Sequence, residues 1–267
     1  MKKLIATTFL AAMAAGSLRA QDQTKVAFPN PGQPRKLVVD SMMGSVTVRG
    51  YDGQEVIIET SGGRSPARKR TSEPPPGMHR IGSNGGDVNI TTQDNTIRIN
   101  GNILSGPANM TIQVPVQTSV TVKTLSGKEL LIENINGEIE ANNMNGNVQI
   151  VNVSGSVVAH SMNGKVTASL NTVMPDKAMS FSSFNGDVDV TLPGGVKANV
   201  KLKTDRGDMF TDFDIKLDPT SPPTVTADKN AKKTRVRSDR STTGSINGGG
   251  PEIQFTSYNG DIVIHKK

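Results

Sequence analysis

Apolar and polar residues alternate along most of the chain, and glycine interrupts the alternation at regular points. Residues 144–166 read MNGNVQIVNVSGSVVAHSMNGKV, so one short unit occurs three times in succession. Each unit places a valine two residues after its glycine. Because alternate side chains of a β-strand lie on the same face, the pattern predicts short strands that each bury one face.

We predict that the glycines of this unit are structural turns. An Asn–Gly or Ser–Gly pair permits a sharp bend, because Gly accepts a positive φ angle and Asn tolerates one. The residues two before, two after and four after each glycine are mostly apolar, and we expect them to fill a thin core. The glycines of the unit are Gly137, Gly146, Gly155, Gly164, Gly186, Gly207 and Gly260.

The spacing of the units favours stacked coils over hairpins. Asn–Gly is also a strong hairpin turn, but antiparallel hairpins do not require the same residue type at the same offset in every strand. The closest matches, MNG, MNG, FNG and DRG, are separated by 18, 22 and 21 residues, or about two strands. The sequence therefore predicts an all-β fold, a single parallel β-solenoid with roughly twenty residues per coil.

Two polar, basic segments interrupt the repeat and are predicted to be long loop excursions. They span about 62–85 and 218–249, and the second accounts for the long interval between Gly207 and Gly260. The first contains three consecutive prolines, which cannot continue a sheet. We interpret residues 37–267 as one β-solenoid domain, preceded by a proline-rich tether at 21–36.

Residues 1–20 are predicted to be a signal peptide. Lys2 and Lys3 precede an apolar run from residue 4 to residue 15, and small residues lead to Ala20. Secretory signals have this order of charged, apolar and cleavage regions. We therefore expect an exported protein that is periplasmic, cell-surface or secreted. We expect no transmembrane segment in the mature chain, and the absence of cysteine excludes disulfides.

The net charge argues against nucleic-acid binding. The chain has 30 Lys and Arg against 24 Asp and Glu, and without Lys2, Lys3 and Arg19 the formal charge falls from +6 to +3. Most of the remaining excess lies in the two predicted excursions, whereas a nucleic-acid surface needs basic residues on an ordered face. We therefore expect no nucleic-acid partner.

Three stretches resemble a known family: IQVPVQTSVTVKTLSG, NINGEIEANNMNGNVQIVNVSGSVVAHSMNGKVTA and the terminal GGGPEIQFTSYNGDIVI. They are similar to the bacterial putative-adhesin family, and the resemblance extends over most of residues 37–267. It implies an exported β-solenoid domain of otherwise unknown function, without established catalytic residues. A role in adhesion is implied only through the name of that family.

Two groups of basic residues on the predicted excursions are candidate binding sites. The simpler interpretation is a solvated loop. The functional alternative is attraction to an anionic glycan or lipid, or to an unidentified protein of the envelope or the extracellular space. The residues are Arg68, Lys69, Arg70, Lys232, Lys233, Arg235 and Arg237.

Three aspartates that follow repeat glycines are candidates for calcium binding. Asp187, Asp208 and Asp261 should stack along one edge, and rows of carboxylate oxygens can hold calcium. A solvated face is the simpler interpretation, and we expect the turn asparagines to form a structural ladder. Arg206, Gly207 and Asp208 also spell the integrin-binding tripeptide RGD, but Gly207 is itself a repeat glycine, so the match has little weight.

The sequence contains no recognisable catalytic motif, and we predict neither an enzyme nor a cofactor. His79, His160 and His265 are far apart, and neither H-E-x-x-H nor G-x-S-x-G occurs. We predict a non-catalytic envelope or secreted protein that offers an extended surface for binding, with adhesion as one such role. Two alternatives stay open: a carbohydrate-active β-helix enzyme with an unrecognised groove, and a structural or stress-related periplasmic protein without adhesive function.

Overall fold

The structure, a computed structural model, describes residues 23–62, 88–101, 108–218, 225–226, 235–236 and 241–267. Within these ranges the chain forms strands and turns and contains no helix, so the all-β prediction is confirmed. The strands in chain order are β1 (Gln23–Ala27), β2 (Arg35–Met43), β3 (Val46–Tyr51), β4 (Glu55–Gly62), β5 (Val88–Gln93), β6 (Thr96–Gly101), β7 (Ala108–Pro115), β8 (Thr118–Ser126), β9 (Glu129–Glu133), β10 (Asn136–Asn145), β11 (Asn147–Asn163), β12 (Val166–Val173), β13 (Met179–Asn185), β14 (Val188–Leu192), β15 (Ala198–Thr204), β16 (Met209–Thr211), β17 (Ile215–Leu217), β18 (Val225–Thr226), β19 (Arg235–Val236), β20 (Thr242–Ile246), β21 (Glu252–Asn259) and β22 (Ile262–Lys266).

The strands stack as a curled sheet with two faces, and each coil places one strand in each face. Face A contains, in spatial order, β6, β2, β8, β10, the second half of β11, β13, β21 and β15. Face B contains β7, β3, β9, the first half of β11, β12, β14, β22 and β16. All pairings within these two series are parallel. We call the bend from a face A strand to the face B strand of the same coil the AB corner.

The coils are not stacked in the order of the sequence. Strand β21 lies between β13 and β15, and at the other end β2 lies between β6 and β8. Close contacts between the corner glycines show the same order of coils. A Cβ atom on Gly260 would lie 2.4 Å from the carbonyl oxygen of Gly186, and a Cβ atom on Gly207 would lie 2.1 Å from the carbonyl oxygen of Gly260. The last coil of the chain is therefore inserted into the stack.

The sheet is mixed, so the prediction of a purely parallel solenoid is wrong at the ends. Strands β4 and β1 continue face B beyond β7, and β5 continues face A beyond β6, all by antiparallel pairing. At the opposite end, β20 and β17 continue face A beyond β15 in the same way. These strands occupy backbone N–H and C=O groups that the end of a parallel stack exposes.

The predicted boundaries also change. Within the predicted tether, β1 pairs with β4, and Phe28 is 4% exposed. The Asn95 amide holds the segment after it, since its Nδ2 donates to the carbonyl oxygens of Gln33 (3.1 Å) and Pro34 (3.0 Å). Within the predicted excursion 218–249, β20 pairs with β15. Most of the excursion predicted at 62–85 lies outside the described residues.

The core is formed by the apolar side chains at alternate positions after each glycine. Val148 and Ile150 in face B, and Val157 and Ala159 in face A, are all fully buried. Apolar side chains of neighbouring coils lie directly above one another, because the parallel pairing is in register. Met209 departs from the rule with 38% exposure, because β16 is the last strand described on its side of face B.

Candidate functional site

The residues two before the glycines of the AB corner are exposed, although the sequence predicts them to be core residues. In one coil Ala159 and Ser161 are buried, Met162 is 42% exposed, and Val166 is buried again. The alternation of inward and outward side chains is therefore shifted by one residue at this corner. The sequence-based prediction did not include this shift. At the opposite corner the same position is buried as predicted, since Ile135 is 1% and Val153 0% exposed.

These exposed side chains form a continuous row that we call the corner ladder. Neighbouring coils pair in register on both sides of the row, for example Asn143 with Ser161 and Asn145 with Asn163. Equivalent side chains are therefore stacked along the axis at the spacing of β-strands, about 4.8 Å. The corner ladder consists of Met42 (39% exposed), Leu125 (37%), Met144 (43%), Met162 (42%), Phe184 (47%) and Tyr258 (36%).

One end of the corner ladder is aromatic and is closed by an arginine. The rings of Phe184 and Tyr258 are parallel within 2°, and their centroids are 4.7 Å apart. The guanidinium carbon of Arg206 lies 5.7 Å from the centroid of the Tyr258 ring, within the range of a cation–π contact. Stacking covers part of each ring face, and both side chains still keep more than a third of their surface exposed.

A row of asparagines runs beside the corner ladder, one residue further along the chain, and confirms the predicted asparagine ladder. The Nδ2 of Asn163 donates to Oδ1 of Asn145 (2.9 Å), and that of Asn185 donates to Asn163 (2.8 Å). Asn259 continues the row by donating to Asn185 over 2.7 Å. Each amide orients the next one, so the row is a regular neutral surface.

Small polar side chains on the inner side of the corner hold the coils together, and sequence reasoning missed them. Ser161 Oγ donates to the carbonyl oxygen of Gly146 over 2.9 Å, and Ser183 Oγ donates to that of Gly164 over 2.9 Å. A serine, threonine or asparagine lies three residues before every glycine of this corner, which is a signal visible in the sequence. The members are Ser41, Thr124, Asn143, Ser161, Ser183, Thr204 and Ser257.

Comparison with known families identifies this arrangement. Residues 138–265 match the model of the Toastrack DUF4097 family, and the match runs from β10 to β22. The chain contains a Toastrack domain. The resemblance to the putative-adhesin family that the repeats indicate is thereby confirmed.

One solved structure shares the fold of the chain, and a second shows a weaker similarity. A putative cell adhesion protein from Clostridium sporogenes superposes with a TM-score of 0.50 at 13% identity, over 93% of this chain and 100% of that one. A putative adhesin from Bacteroides fragilis covers 93% of this chain and 98% of that one at 14% identity, with a TM-score of 0.37 that supports no argument. No curated protein matches the sequence.

The three calcium candidates form a row beside the asparagines of the Toastrack domain. Asp187 Oδ1 accepts the backbone N–H of Asp261 (3.1 Å), and Asp261 Oδ1 accepts that of Asp208 (2.9 Å). These carboxylates therefore cap main-chain groups of the next coil. Across the described ranges, no group of three His, Cys, Asp or Glu side chains lies close enough to hold a metal ion, and the calcium site stays a prediction.

The RGD tripeptide is part of the stack. Gly207 lies against Gly260, Asp208 bonds to Asp261 through its backbone, and Arg206 covers Tyr258. Its arginine and its main chain therefore have structural contacts within the domain, and integrin binding stays a prediction.

The position of the predicted basic binding sites relative to the corner ladder is not described. Arg68, Lys69, Arg70, Lys232, Lys233 and Arg237 lie outside the described residues, and of Arg235 only the backbone is described, in β19. Their binding role stays a prediction. In the described part of the chain, no helix is long and apolar enough to cross a membrane.

A carboxylate-lined groove of about 520 Å³ lies on the outer side of face A. Its lining includes Asp94, Glu138 and Glu140. Glu138 pairs with Lys177 at 3.2 Å and Glu140 with Lys123 at 3.8 Å, and the side chains of all four are between 45% and 58% exposed. These two glutamates therefore form solvated ion pairs, unlike the desolvated acid of a glycosidase.

Proposed function

We propose that this Toastrack protein is a non-catalytic protein of the cell envelope or the secreted fraction, and that the corner ladder is its binding surface. The observation that carries the proposal is the row of six exposed apolar side chains on consecutive coils. Single exposed apolar residues are common on protein surfaces, whereas a contiguous row of them marks an interaction site.

The regularity of the fold makes the row rigid before any partner binds. The asparagine ladder and the buried serines fix the corner along the central coils. A preorganised surface loses little conformational entropy on binding, so more of the contact energy is retained as affinity. Stacked methionine and aromatic side chains also belong to the residue types that are enriched in interfaces.

The predicted export signal supports an extracytoplasmic partner. Lys2, Lys3 and the apolar run from residue 4 to residue 15 have the order of a secretory signal. The solved protein that shares the fold is described as a putative cell adhesion protein. Adhesion is therefore the binding role that we propose to test first, and a purely structural or stress-related role is the alternative outcome.

The test is a binding assay with surface variants of the mature chain. Labelled protein is incubated with intact cells and isolated envelopes of the source organism, and with cell layers that it colonises. We expect Met162→Ser together with Phe184→Ser to remove most of the bound protein. The matched control is Val158→Ser, because Val158 is 45% exposed and lies in the central coils but outside the ladder. Binding that both variants retain equally would contradict the proposed surface.

Location is tested separately by protease treatment of intact and lysed cells. Cleavage of the protein in intact cells would support a surface position. Protection until the outer barrier is broken would place the protein in the periplasm and limit its partners to envelope components. Recovery of the uncleaved precursor in the cytoplasm would contradict export.

A further inference from the structure

We infer that the corner ladder binds a linear, uncharged glycan that lies along the axis of the stack. This inference rests on the proposed binding function and names the chemistry of the partner. It follows from the charge, the width and the hydrogen-bonding groups of the surface.

The corner ladder and the rows of side chains directly on either side of it are uncharged over four consecutive coils, and the row of aspartates begins beyond the asparagines. The asparagine ladder borders the apolar row on the face B side, and no Lys, Arg, Asp or Glu occupies the adjacent outward row on face A. That outward row consists of Asn142, His160, Ser182 and Thr256. A partner of matching character needs apolar patches and neutral donors and acceptors instead of a net charge.

The amides of the ladder have hydrogen-bonding capacity beyond the ladder itself. A side-chain amide offers two N–H donors and an oxygen with two lone pairs, and Asn163 uses one donor toward Asn145 and one acceptor site toward Asn185. The side chains are exposed, so the remaining donor and lone pair are accessible. Hydroxyl groups both donate and accept, so a sugar can match every amide of the row.

The shape of the surface selects a narrow ligand. Six side chains in register span about 24 Å at the strand spacing of about 4.8 Å, and the row is one side chain wide. A stable protein interface uses about 20–30 residues on each side, so this row alone does not suffice for a dimer. A linear chain whose rings carry C–H groups beside hydroxyls fits the length and the width together.

An added peptide strand is a poorer fit. Strand addition uses free backbone groups at the edge of a sheet, whereas β10 is paired with β8 and β11, and β13 is paired with β11 and β21. The main chain along the ladder is therefore occupied, and only side chains remain to contact a ligand.

The direct test follows the methionine methyl groups of the mature chain by NMR. Protein with labelled methionine methyls is titrated with unbranched neutral oligosaccharides of increasing length, made of β-linked glucose or β-linked N-acetylglucosamine. We expect the Met144 and Met162 signals to shift, and the affinity to increase until the ligand spans the row. High salt should leave the affinity unchanged, because no charges are paired.

Variants connect the signal to the ladder. Replacing Phe184 or Tyr258 by serine should weaken binding by about tenfold, the loss expected when one apolar contact of ordinary size is removed. Val158→Ser should bind as the unmodified protein does. The melting temperature of each variant, measured in parallel, separates lost contacts from lost folding.

Two comparison ligands decide between partner classes. A sulfated oligosaccharide of the same length that binds more tightly, and only at low salt, would overturn the inference in favour of the basic segments. An unstructured neutral peptide that shifts the methionine signals when no oligosaccharide does would also overturn it.

The cell assay tests the glycan inference separately from the proposed binding function. Digestion of the cells with glycoside hydrolases that cleave β-linked glucose or β-linked N-acetylglucosamine chains should remove ladder-dependent binding to cells, and protease treatment of the same cells should preserve it. The reverse result would leave the binding surface intact but overturn the glycan as its partner. Loss of every ladder-dependent interaction with cells would instead contradict the proposed function.

Discussion

For a single residue, the face of the strand decides its role more than the residue type does. Val158 and Val166 belong to the same coil, yet Val158 is 45% exposed and Val166 is fully buried. Met162, between them, is exposed because the AB corner shifts the alternation of inward and outward side chains by one residue. The same apolar residue type therefore serves the core at one position and a surface at another.

The buried valine gives the first prediction. Val166→Asp should unfold the domain, because an unpaired buried carboxylate costs several kcal/mol, out of a total stability of about 5–15 kcal/mol. Urea denaturation followed by circular dichroism measures the change. Val158→Asp is the matched control and should stay within about 0.5 kcal/mol of the unmodified protein. An unchanged midpoint for Val166→Asp would mean that its inward assignment is wrong.

The glycines of the AB corner give the second prediction, because they let adjacent coils approach closely. Gly146 has a φ angle of +145°, and a Cβ atom there would lie 1.9 Å from the carbonyl oxygen of Gly127. Gly146→Ala should therefore cost about 1–3 kcal/mol or more in the free energy of unfolding. Gly195→Ala is the control, since nothing lies within 4 Å of the added Cβ. Equal melting temperatures for the two variants would contradict the close-approach argument.

For whole elements, repetition adds interactions that a single strand lacks. The asparagines of four coils bond to one another in sequence, and the buried hydroxyls bond to glycine carbonyls of the adjacent coil. Each net hydrogen bond contributes only about 1 kcal/mol, so the effect of the ladder comes from its length. The corner therefore acts as a seam that joins consecutive coils.

The seam gives the third prediction. Asn163→Ala removes one donated and one accepted bond, to Asn145 and from Asn185, and should destabilise the fold by about 1–2 kcal/mol. Asn136→Ala is the control, an exposed asparagine of β10 outside the ladder. Thermal denaturation measures both, and the side-chain amide signals of Asn145 and Asn185 should change only in the first variant. Unchanged amide signals there would contradict the ladder.

Sequence alone predicts the part of the fold that every coil must repeat. The apolar positions after each glycine and the glycine turns are visible because each coil needs them. The order of the coils is not visible, since β21 and β15 carry similar patterns and either suits the edge of β13. The exposure of Met162 is also not visible in the sequence, because one extra residue at a corner reverses which side chains face inward and which face outward. The candidate site was therefore missed, although its asparagine ladder was expected.

For the molecule as a whole, the two ends of the stack explain why the chain leaves and re-enters it. A purely parallel stack exposes a row of backbone groups at each end, which invites pairing with other chains. Antiparallel strands cover β7 and β6 at one end and β15 at the other. Inserting β21 and β22 between earlier coils also holds the end of the chain inside the stack.

The inserted coil gives the fourth prediction. Deleting residues 252–267 removes β21 and β22, which separate β13 from β15 and β14 from β16. A terminal coil of an ordinary repeat protein can be lost with little effect on the rest, because each repeat contacts only its neighbours. Here the deletion opens a gap in the interior, so β15 to β20 should lose their protection against hydrogen exchange while β8 to β12 keep theirs.

The control is a deletion at the N-terminal end of the domain. Starting the mature chain at Phe28 removes β1, whose residues are mostly exposed and which pairs only with β4. That variant should keep exchange protection in all coils and lose it only along β4, because one edge strand is missing. If the deletion of 252–267 were as mild as this control, the inserted position of the last coil would be wrong, and the chain would stack in the order of its sequence.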